Sequence, residues 1–170
     1  VVGSAKHLLN LINDVLDMSK IEAGSLNLFI EDDVDLKSIV NSVVKTGRGL
    51  LAGKTTELQT EIEDNLPLIR ADRQRIMQIL LNVISNACKF TDEGQIRVKV
   101  TQKDGEVLIT MTDTGPGIAP EDQAMVFEAF KQTKTGLRQG GGTALGMPIA
   151  RSLTEAHGGR MWFASDFGKG

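Results

Sequence analysis

The sequence predicts a protein of the α+β class, and two observations carry this prediction. Residues 72–89 place apolar side chains at intervals of three and four, the pattern of a helix with one buried face. Residues 94–102 and 106–113 alternate apolar with polar side chains and are separated by a short turn containing glycine. That alternation is typical of two antiparallel, half-buried strands. Helices and strands that are mixed along the chain, with an antiparallel pair among them, indicate the α+β class.

The remaining elements follow from the same two patterns. Residues 1–23 carry a coiled-coil-like apolar stripe on Leu8, Ile12 and Val15, and Gly24 ends this helix. The helix is too short to be stable alone, so we expect it to pack on a partner helix. The other predicted elements are a strand at 26–31, a helix at 32–54, a strand at 57–64, a helical turn at 121–130, a mobile loop at 131–143, a helix at 145–156 and a last strand at 160–165.

Length and composition exclude several classes of protein. The 170 residues fit one domain, or one domain with an appendage. A formal charge of −3 gives no reason to expect a nucleic acid partner. The longest uncharged apolar run is too short to span a bilayer, so we expect no direct membrane contact from these residues. We expect a cytoplasmic location, and membrane anchoring of the longer protein stays open. The single cysteine, Cys88, excludes an internal disulfide and fits a reducing compartment. Because the first residue is Val1, we expect a piece of a longer protein.

Polar residues follow the flank of the helix predicted at 72–89. Asn82, Asn86 and Lys89 succeed one another at spacings of four and three, beside the apolar stripe. A side-chain amide oxygen suits a hard cation such as Mg²⁺, which keeps most of its waters and binds phosphate oxygens. Taken alone, the two asparagines fit an exposed helix edge better than a metal site.

A carboxylate ends the second strand of the antiparallel pair. Asp113 shares a strand face with Val107, Ile109 and Met111, and therefore points toward the apolar side of the sheet. It leads directly into the glycine turn at 114–117. A partly buried carboxylate beside apolar walls can accept a hydrogen bond from an exocyclic amine.

A second glycine run, Gly140–Gly142, precedes the helix predicted at 145–156. Glycines let the backbone approach a ligand closely, and exposed amides at a helix N-terminus attract phosphate. Together with the asparagine row and Asp113, this run predicts a pocket for a purine nucleotide with magnesium. Neither glycine run matches a Walker loop or a dinucleotide-binding fingerprint.

The order of these motifs resembles that of the GHKL ATPase superfamily and, within it, of the sensor histidine kinases. The four motifs are LLNVISNACKFT as the N box, DTGPGIA as the first glycine box, VFEAFKQ as the phenylalanine box and GGTALGMPIA as the second glycine box. The stretch HLLNLINDVLDMSKIEAG is similar to the second helix of the dimerisation and phosphoacceptor hairpin. The resemblance covers nearly the whole chain.

The resemblance implies a fold and a domain organisation. The fold would be the GHKL or Bergerat ATPase fold, a two-layer α/β sandwich with a mixed sheet and helices on one face, preceded by a single helix. Residues 1–24 would be the remnant of the hairpin. Residues 25–170 would be the catalytic ATP-binding domain, truncated before its last strand.

The resemblance also implies a role for the residues around the base. Asp113 would bind the adenine amino group, and Phe90 would lie against the adenine. Gly115 and Gly117 would shape the wall of the pocket against base and sugar, with Ile118 beside them among the ATP-binding residues.

At the phosphate end, the resemblance implies magnesium and cationic contacts. Asn86 would coordinate Mg²⁺ with the assistance of Asn82, and Lys89 would reach toward phosphate. Residues 131–143 would form the ATP lid. The ATP-binding residues of the lid and of the following helix would be Lys131, Gly142, Thr143, Leu145 and Gly146.

The implied reaction is phosphoryl transfer from ATP to a histidine, which is mostly positioning and charge neutralisation. The phosphoacceptor is absent from the chain, so no residue within it is assigned as catalytic. The implied partners are the histidine-bearing helix, in a homodimer, and the receiver domain of a response regulator.

Four residues depart from the family pattern or need a separate interpretation. His7 lacks an acidic neighbour and fits a solvated surface position, whereas His157 fits a helix C-terminus, where a cation is welcome. Ala144 stands where the family has glycine, and it costs energy if its φ is positive. Pro148 is tolerable within the first turn of a helix, where no amide partner is lost.

Two further functions remain open. A GHKL ATPase that drives a conformational change, as in gyrase or Hsp90, uses a glutamate at the position of Asn82, and an amide cannot act as a general base. The other open function is a catalytically degenerate nucleotide-binding scaffold. The departures from the family pattern at Ala144 and Pro148 are compatible with it.

Overall fold

The computed structural model describes residues 2–132 and 143–170, with the side chains of residues 2–7 excepted. The expected loop at 131–143 and the glycine run Gly140–Gly142 therefore lie almost wholly outside the described residues. The same holds for the surface position expected of the His7 side chain. No helix in the described ranges is long and apolar enough to cross a membrane.

The described residues form helices and strands that are mixed along the chain. The helices are α1 Val2–Glu22, α2 Leu36–Leu50, α3 Arg73–Phe90, α4 Pro120–Gln123 and α5 Gly146–Ala156. The strands are β1 Glu31–Val34, β2 Thr55–Ile62, β3 Ile69–Ala71, β4 Glu93–Lys103 and β5 Glu106–Asp113.

The main sheet has three strands in the order β2-β4-β5. Strand β2 runs parallel to β4, beginning with the pair Thr55 and Glu93, whereas β5 runs antiparallel to β4 and pairs Asp113 with Ile96. The sheet is therefore mixed, which confirms the prediction. Strands β1 and β3 form a separate antiparallel pair.

One face of the main sheet is covered by helices. Ile96, Val98 and Val100 of β4 are fully buried, and they belong to one apolar cluster with α2 and α3. The alternate residues Arg97 and Lys99 are exposed on the opposite face. Burying an aliphatic side chain stabilises a fold by about 1.5–3 kcal/mol, so this cluster is the main force that holds the layers together. The two-layer sandwich with helices on one face is confirmed.

Aspartates cap the two long helices of this layer. The carboxylate of Asp35 accepts the amide N–H of Ser38 at 3.2 Å, and the carboxylate of Asp72 accepts that of Arg75 at 3.1 Å. Each cap satisfies a donor that the first turn of a helix leaves free. The cap at Asp35 corrects the helix predicted at 32–54, because α2 begins only at Leu36.

The strand predicted at 26–31 is wrong in position. The ladder forms at Glu31–Val34, where β3 supplies a partner, and β3 itself was not predicted. Apolar composition favoured the earlier residues, yet Phe29 is 80% exposed and Val34 is fully buried. The available partner strand, rather than local hydrophobicity, decides where this strand forms.

The last strand predicted at 160–165 does not form within the described residues, although its side chains alternate as the prediction required. Met161 and Phe163 are half-buried while Trp162 is exposed. The Phe163 ring packs edge to face on Phe127 at a centroid distance of 5.5 Å. The alternating burial of these side chains therefore results from this packing and not from a hydrogen-bonded β-ladder.

His157 joins the end of α5 to the start of α3. Its Nε2 accepts the backbone N–H of Asp72 at 3.0 Å, so the ring proton lies on Nδ1, which donates to the carbonyl of Leu153 at 2.7 Å. The structural role expected of His157 is found.

Candidate functional site

A cavity of about 500 Å³ opens where α3 ends, β5 ends and α5 begins. Most of the residues predicted for a nucleotide site lie around it, although they come from distant parts of the chain. The predicted residues that line it are Asn82, Asn86, Lys89, Phe90, Asp113, Gly117, Ile118, Lys131, Thr143 and Gly146.

Three predicted site residues are not among those that line the cavity. Gly142 lies outside the described residues. Gly115 does not line the cavity but contacts a residue that does, because its N–H donates to Asp113 Oδ1 at 2.9 Å. Leu145 differs from the prediction: its side chain is buried in an apolar cluster with α5, and its N–H donates to Thr143 Oγ1 at 3.2 Å.

The apolar part of the cavity wall was largely missed by the sequence prediction. Met111 lies beside Asp113, and its place two residues earlier on the same strand face was a signal that could have identified it. Val83, Val126, Pro148 and Phe163 come from other elements. No local pattern distinguishes these four residues from ordinary core positions.

Asp113 is the acid of the cavity. It is half-buried on the same face of β5 as Met111, as its position in the strand predicts. Its Oδ1 accepts the Gly115 amide, whereas Oδ2 has no hydrogen-bond partner among the residues that the structure describes. A carboxylate oxygen beside apolar walls is suited to accept the exocyclic amine of a purine.

The glycine turn after Asp113 is held by side chains from elsewhere in the fold. The N–H of Ile118 donates to Ser165 Oγ at 2.8 Å, and Gln123 Nε2 donates to the carbonyl of Ile118 at 3.1 Å. Gly117 has a φ of +65°, and a Cβ there would lie 2.2 Å from the carbonyl oxygen of Asp166. Both observations require glycine at this position.

The end of α3 supplies the polar side of the cavity. Asn82 Nδ2 donates to the carbonyl of Gly146 at 3.0 Å, which ties α3 to the first residue of α5. Asn86 lines the cavity one turn later. Lys89 Nζ lies 5.2 Å from the centre of the Phe90 ring, within the range of a cation–π contact.

The residues at the site fit a magnesium ion better than a metal held by an all-protein cage. The described residues contain no group of three histidines, cysteines or acids that could hold a metal ion. Mg²⁺ requires few protein ligands, because waters and phosphate oxygens complete its octahedron. The amide oxygen of Asn86 is of the right chemical type for one such ligand.

The backbone before α5 takes an unusual conformation. Ala144 has a φ of +53°, so the condition under which alanine was expected to cost energy is met. Pro148 is buried at the third position of α5, within the first turn, where its missing N–H removes no helical bond. The proline is therefore compatible with the start of the helix, as predicted.

A cation at the opposite rim is already paired. Lys131 forms an ion pair with Glu128, three residues earlier, and both side chains are about half exposed. Exposed ion pairs of this kind contribute little to the free energy of folding, and their partners exchange readily. Lys131 can therefore be redirected toward an anion in the cavity at small cost.

Helix α1 forms a wall of the cavity that the sequence did not predict. Asn10, Leu11 and Asp14 face the cavity, and Asp14 Oδ2 accepts a hydrogen bond from Thr143 Oγ1 at 3.3 Å. Burial raises the pKa of Asp14, the bond from Thr143 opposes that effect, and the charge of Asp17 adds to it.

Asp17 fastens the same helix to α3. Its Oδ2 lies 2.8 Å from both Arg75 Nη1 and Gln78 Nε2. Burial alone would raise the pKa of Asp17, but these hydrogen bonds and the Arg75 charge outweigh it, so its pKa lies below the ordinary value. Met18 and Ile21 add apolar contacts with the α5 cluster.

The chain matches the model of a known protein family. Residues 71–170 match the family described as histidine kinase-, DNA gyrase B- and HSP90-like ATPase. This range contains Asn82, Asn86 and Asp113, together with the cavity wall from α5.

Known proteins of similar sequence and structure are histidine kinases. The chain is 36% identical over 171 residues to the circadian input-output histidine kinase CikA of Synechococcus elongatus, a match that covers 98% of this chain and 22% of that relative. A crystal structure of full-length ShkA in complex with AMPPNP is similar with a TM-score of 0.84 and 34% identity, over 98% of this chain and 35% of that one.

Another similar structure is that of a catalytic domain alone. The catalytic domain of the histidine kinase ThkA has a TM-score of 0.67 and 28% identity, over 79% of this chain and 88% of that chain. The chain spans about a fifth of the length of CikA. The match over residues 71–170, more than half of the sequence, shows that the chain belongs to the family of histidine kinase-, DNA gyrase B- and HSP90-like ATPases.

Proposed function

We propose that this chain is the ATP-binding catalytic part of a sensor histidine kinase, which transfers the γ-phosphoryl group of ATP to a histidine on a helical hairpin. The observation that carries the proposal is the convergence of Asp113, Asn86 and the start of α5 on one cavity. Family membership and the similarity to histidine kinases over nearly the whole chain support it.

Recognition of adenine rests on Asp113 in this proposal. Its Oδ2 accepts the exocyclic amine, while the Gly115 amide holds Oδ1 and fixes the plane of the carboxylate. Met111 and Phe90 supply apolar surface against the base. Ile118 and Gly117 lie at the edge of the turn, where base and sugar meet.

The triphosphate extends from Asp113 toward the start of α5. Amides at the first turn of a helix attract phosphate, and Gly146 and Thr143 line this end of the cavity. Lys89 supplies positive charge from α3. Lys131 leaves its exposed partner Glu128 and adds a second cation.

Asn86 would hold Mg²⁺, and the ion when bound would supply charge neutralisation for phosphoryl transfer. In this arrangement Asn82 can assist the Mg²⁺ ion only with the oxygen end of its side-chain amide. The Nδ2 of Asn82 donates a hydrogen bond to the carbonyl of Gly146, so this end of the amide positions α5. Neither end of a neutral amide can remove a proton from water, which favours transfer over hydrolysis.

The partners of this activity lie outside the chain. In this proposal residues 1–24 are the second helix of the phosphoacceptor hairpin, and residues 25–170 belong to the catalytic domain. The hairpin forms a homodimer in the longer protein and presents the histidine. The receiver domain of a response regulator accepts the phosphoryl group next, in the cytoplasm.

Two measurements test the proposal in sequence. Calorimetry with ATP and Mg²⁺ should detect binding by the wild type and none by Asp113→Ala. Thr112→Ala is the matched control, because Thr112 is the exposed neighbour on the same strand and does not line the cavity. Equal binding by wild type and Asp113→Ala would remove the base-recognition role and with it the proposal.

The second measurement examines the transfer step. Labelled ATP and a separate hairpin that carries the histidine are added to the chain, and acid-labile, base-stable phosphoprotein is expected. ATP binding without label would indicate a degenerate scaffold. Rapid phosphate release without label would indicate a hydrolase instead.

A further inference from the structure

Lys54 lies outside the cavity but contacts the end of the helix that supplies its polar side. Its Nζ donates to the carbonyl oxygens of Cys88 at 2.7 Å, Lys89 at 3.3 Å and Thr91 at 3.4 Å. It also lies 2.9 Å from Asp92 Oδ1. The Lys54 side chain is only 27% exposed, so these contacts are partly shielded from water.

Two of these carbonyl groups, those of Cys88 and Lys89, belong to the last turn of α3, where a helix leaves carbonyls without partners. The last four carbonyls of α3 have no amide further along the helix to bind, and the helix dipole places partial negative charge there. An ammonium group with three hydrogens is well suited to several oxygens that converge on one point. Bonds of this type, with one charged partner, are about twice as strong as neutral ones.

The loop before β2 aims Lys54 at this point. Gly53 has a φ of +86°, and the N–H of Lys54 closes the turn by donating to the carbonyl of Leu51 at 2.9 Å. Thr56, two residues later, donates its hydroxyl to the carbonyl of Thr91 at 3.0 Å. The start of β2 therefore holds residues 88–91 from one side.

The residues held in this way carry side chains of the candidate site. Lys89 and Phe90 line the cavity, while the backbone carbonyls on either side of them are bound by Lys54. The carbonyl of Phe90 itself faces Gly115, where a Cβ would approach it to 3.1 Å. A small rotation of this last turn would move both side chains relative to Asp113.

From this geometry we propose that Lys54 is a positioning residue for the nucleotide site. It sets the backbone of the last turn of α3, so that the Lys89 ammonium and the Phe90 ring lie where phosphate and base are bound. It does not touch the nucleotide. This inference rests on the proposed function, because the effect of Lys54 on ligand binding passes through Lys89 and Phe90.

The experiment compares affinities for ATP with Mg²⁺ by calorimetry in wild type, Lys54→Met and Lys54→Arg. Methionine keeps the length of the side chain and removes the charge. We expect Lys54→Met to weaken ATP binding by about fivefold to tenfold, less than the loss of one charge-assisted bond, because Lys89 and Phe90 are displaced but not removed. Lys54→Arg should recover part of the loss, because it restores a cation at the helix end.

Two controls separate positioning from a general loss of stability. Val43→Ala removes a fully buried side chain of α2 that does not line the cavity, so it should lower stability and leave ATP affinity unchanged. A double-mutant cycle with Lys89→Met should show coupling, with the Lys54→Met effect reduced when Lys89 is already absent.

The outcomes distinguish this inference from the function on which it rests. Unchanged affinity in Lys54→Met, an equal loss in Val43→Ala, or effects of Lys54→Met and Lys89→Met that simply multiply would each overturn the positioning role alone. Absence of ATP binding by the wild type would overturn the proposed function, and the positioning role toward ATP would fall with it.

Discussion

Asp14 of α1 accepts a hydrogen bond from Thr143, 129 residues later in the chain, at an oxygen–oxygen distance of 3.3 Å. This contact joins the first helix to the residues that lead into α5. It also places a carboxylate in the wall of the candidate nucleotide cavity. Because burial raises the pKa of Asp14, the charged form of this group is less favoured in the folded protein than in the unfolded chain.

Asp14→Asn is expected to stabilise the protein at neutral pH. A raised pKa in the folded state gives a contribution to stability that is complete below the ordinary value of 3.8 and is lost as pH rises through the folded pKa. At pH 7 the wild type therefore bears a cost that asparagine avoids, while the amide oxygen can still accept from Thr143. We expect a Tm higher by about 1–3 °C at pH 7, with the difference closing toward pH 4. A difference that does not change with pH would contradict this explanation.

Asp17→Asn is expected to have the opposite effect. The lowered pKa of Asp17 gives stability that is present above the ordinary value of 3.8 and is lost as pH falls through the folded pKa. The substitution leaves the mostly buried Arg75 without its anionic partner, at a cost of about 1–3 kcal/mol. Urea unfolding at pH 7 measures the loss. Asp33→Asn, at an exposed position of β1, is the control and should change stability little. Equal stability of Asp17→Asn and wild type would show that the pair contributes nothing to the docking of α1.

The contrast between β5 and α1 shows which parts of the fold could be predicted from the sequence. The bounds of β5 agree with the prediction, and Asp113 lies on the predicted face, because a two-residue period is a local property of the chain. The burial of Asp17 against Arg75 depends on residues 58 positions apart. No periodicity in α1 indicates which of its polar residues meets α3.

The same distinction applies within the candidate site. Asn86 and Asp113 were predicted because each stands in a recognisable local motif, and the fold brings both to one cavity. Lys54 stands in an unremarkable turn, and its contacts with the end of α3 span more than 30 residues. A residue that binds backbone groups is not marked by a local sequence motif, because any cationic side chain of similar length could make the same contacts.

Ala144→Gly is expected to stabilise the protein. Ala144 has a φ of +53°, and this left-handed conformation costs an alanine about 1–2 kcal/mol relative to glycine. Glycine also loses more entropy on folding, which offsets about 0.5–1 kcal/mol, so a net gain of up to about 1.5 kcal/mol remains. Chemical denaturation measures it. Ala119→Gly, at a residue with a φ of −58°, is the matched control and should destabilise, because there only the entropy term applies. A loss of stability in Ala144→Gly as large as in Ala119→Gly would contradict the backbone assignment.

Gly117→Ala is expected to damage the candidate site more than an equally strained substitution elsewhere. Gly105 is the matched control, because its φ of +81° is as unfavourable for alanine as the +65° of Gly117, yet a Cβ there meets open space. At Gly117 the Cβ would lie 2.2 Å from the carbonyl oxygen of Asp166, so the turn must move in addition.

Gly105→Ala should therefore cost about 1–2 kcal/mol of stability through strain alone and leave ATP affinity unchanged. Gly117→Ala should cost more, since overpacking adds about 1–3 kcal/mol, and should also weaken ATP binding because the turn that follows Asp113 is displaced. Urea unfolding and calorimetry on the same two variants measure both quantities. If the two alanines lowered stability equally and neither changed ATP affinity, the close approach of Gly117 to Asp166 would have no part in shaping the site.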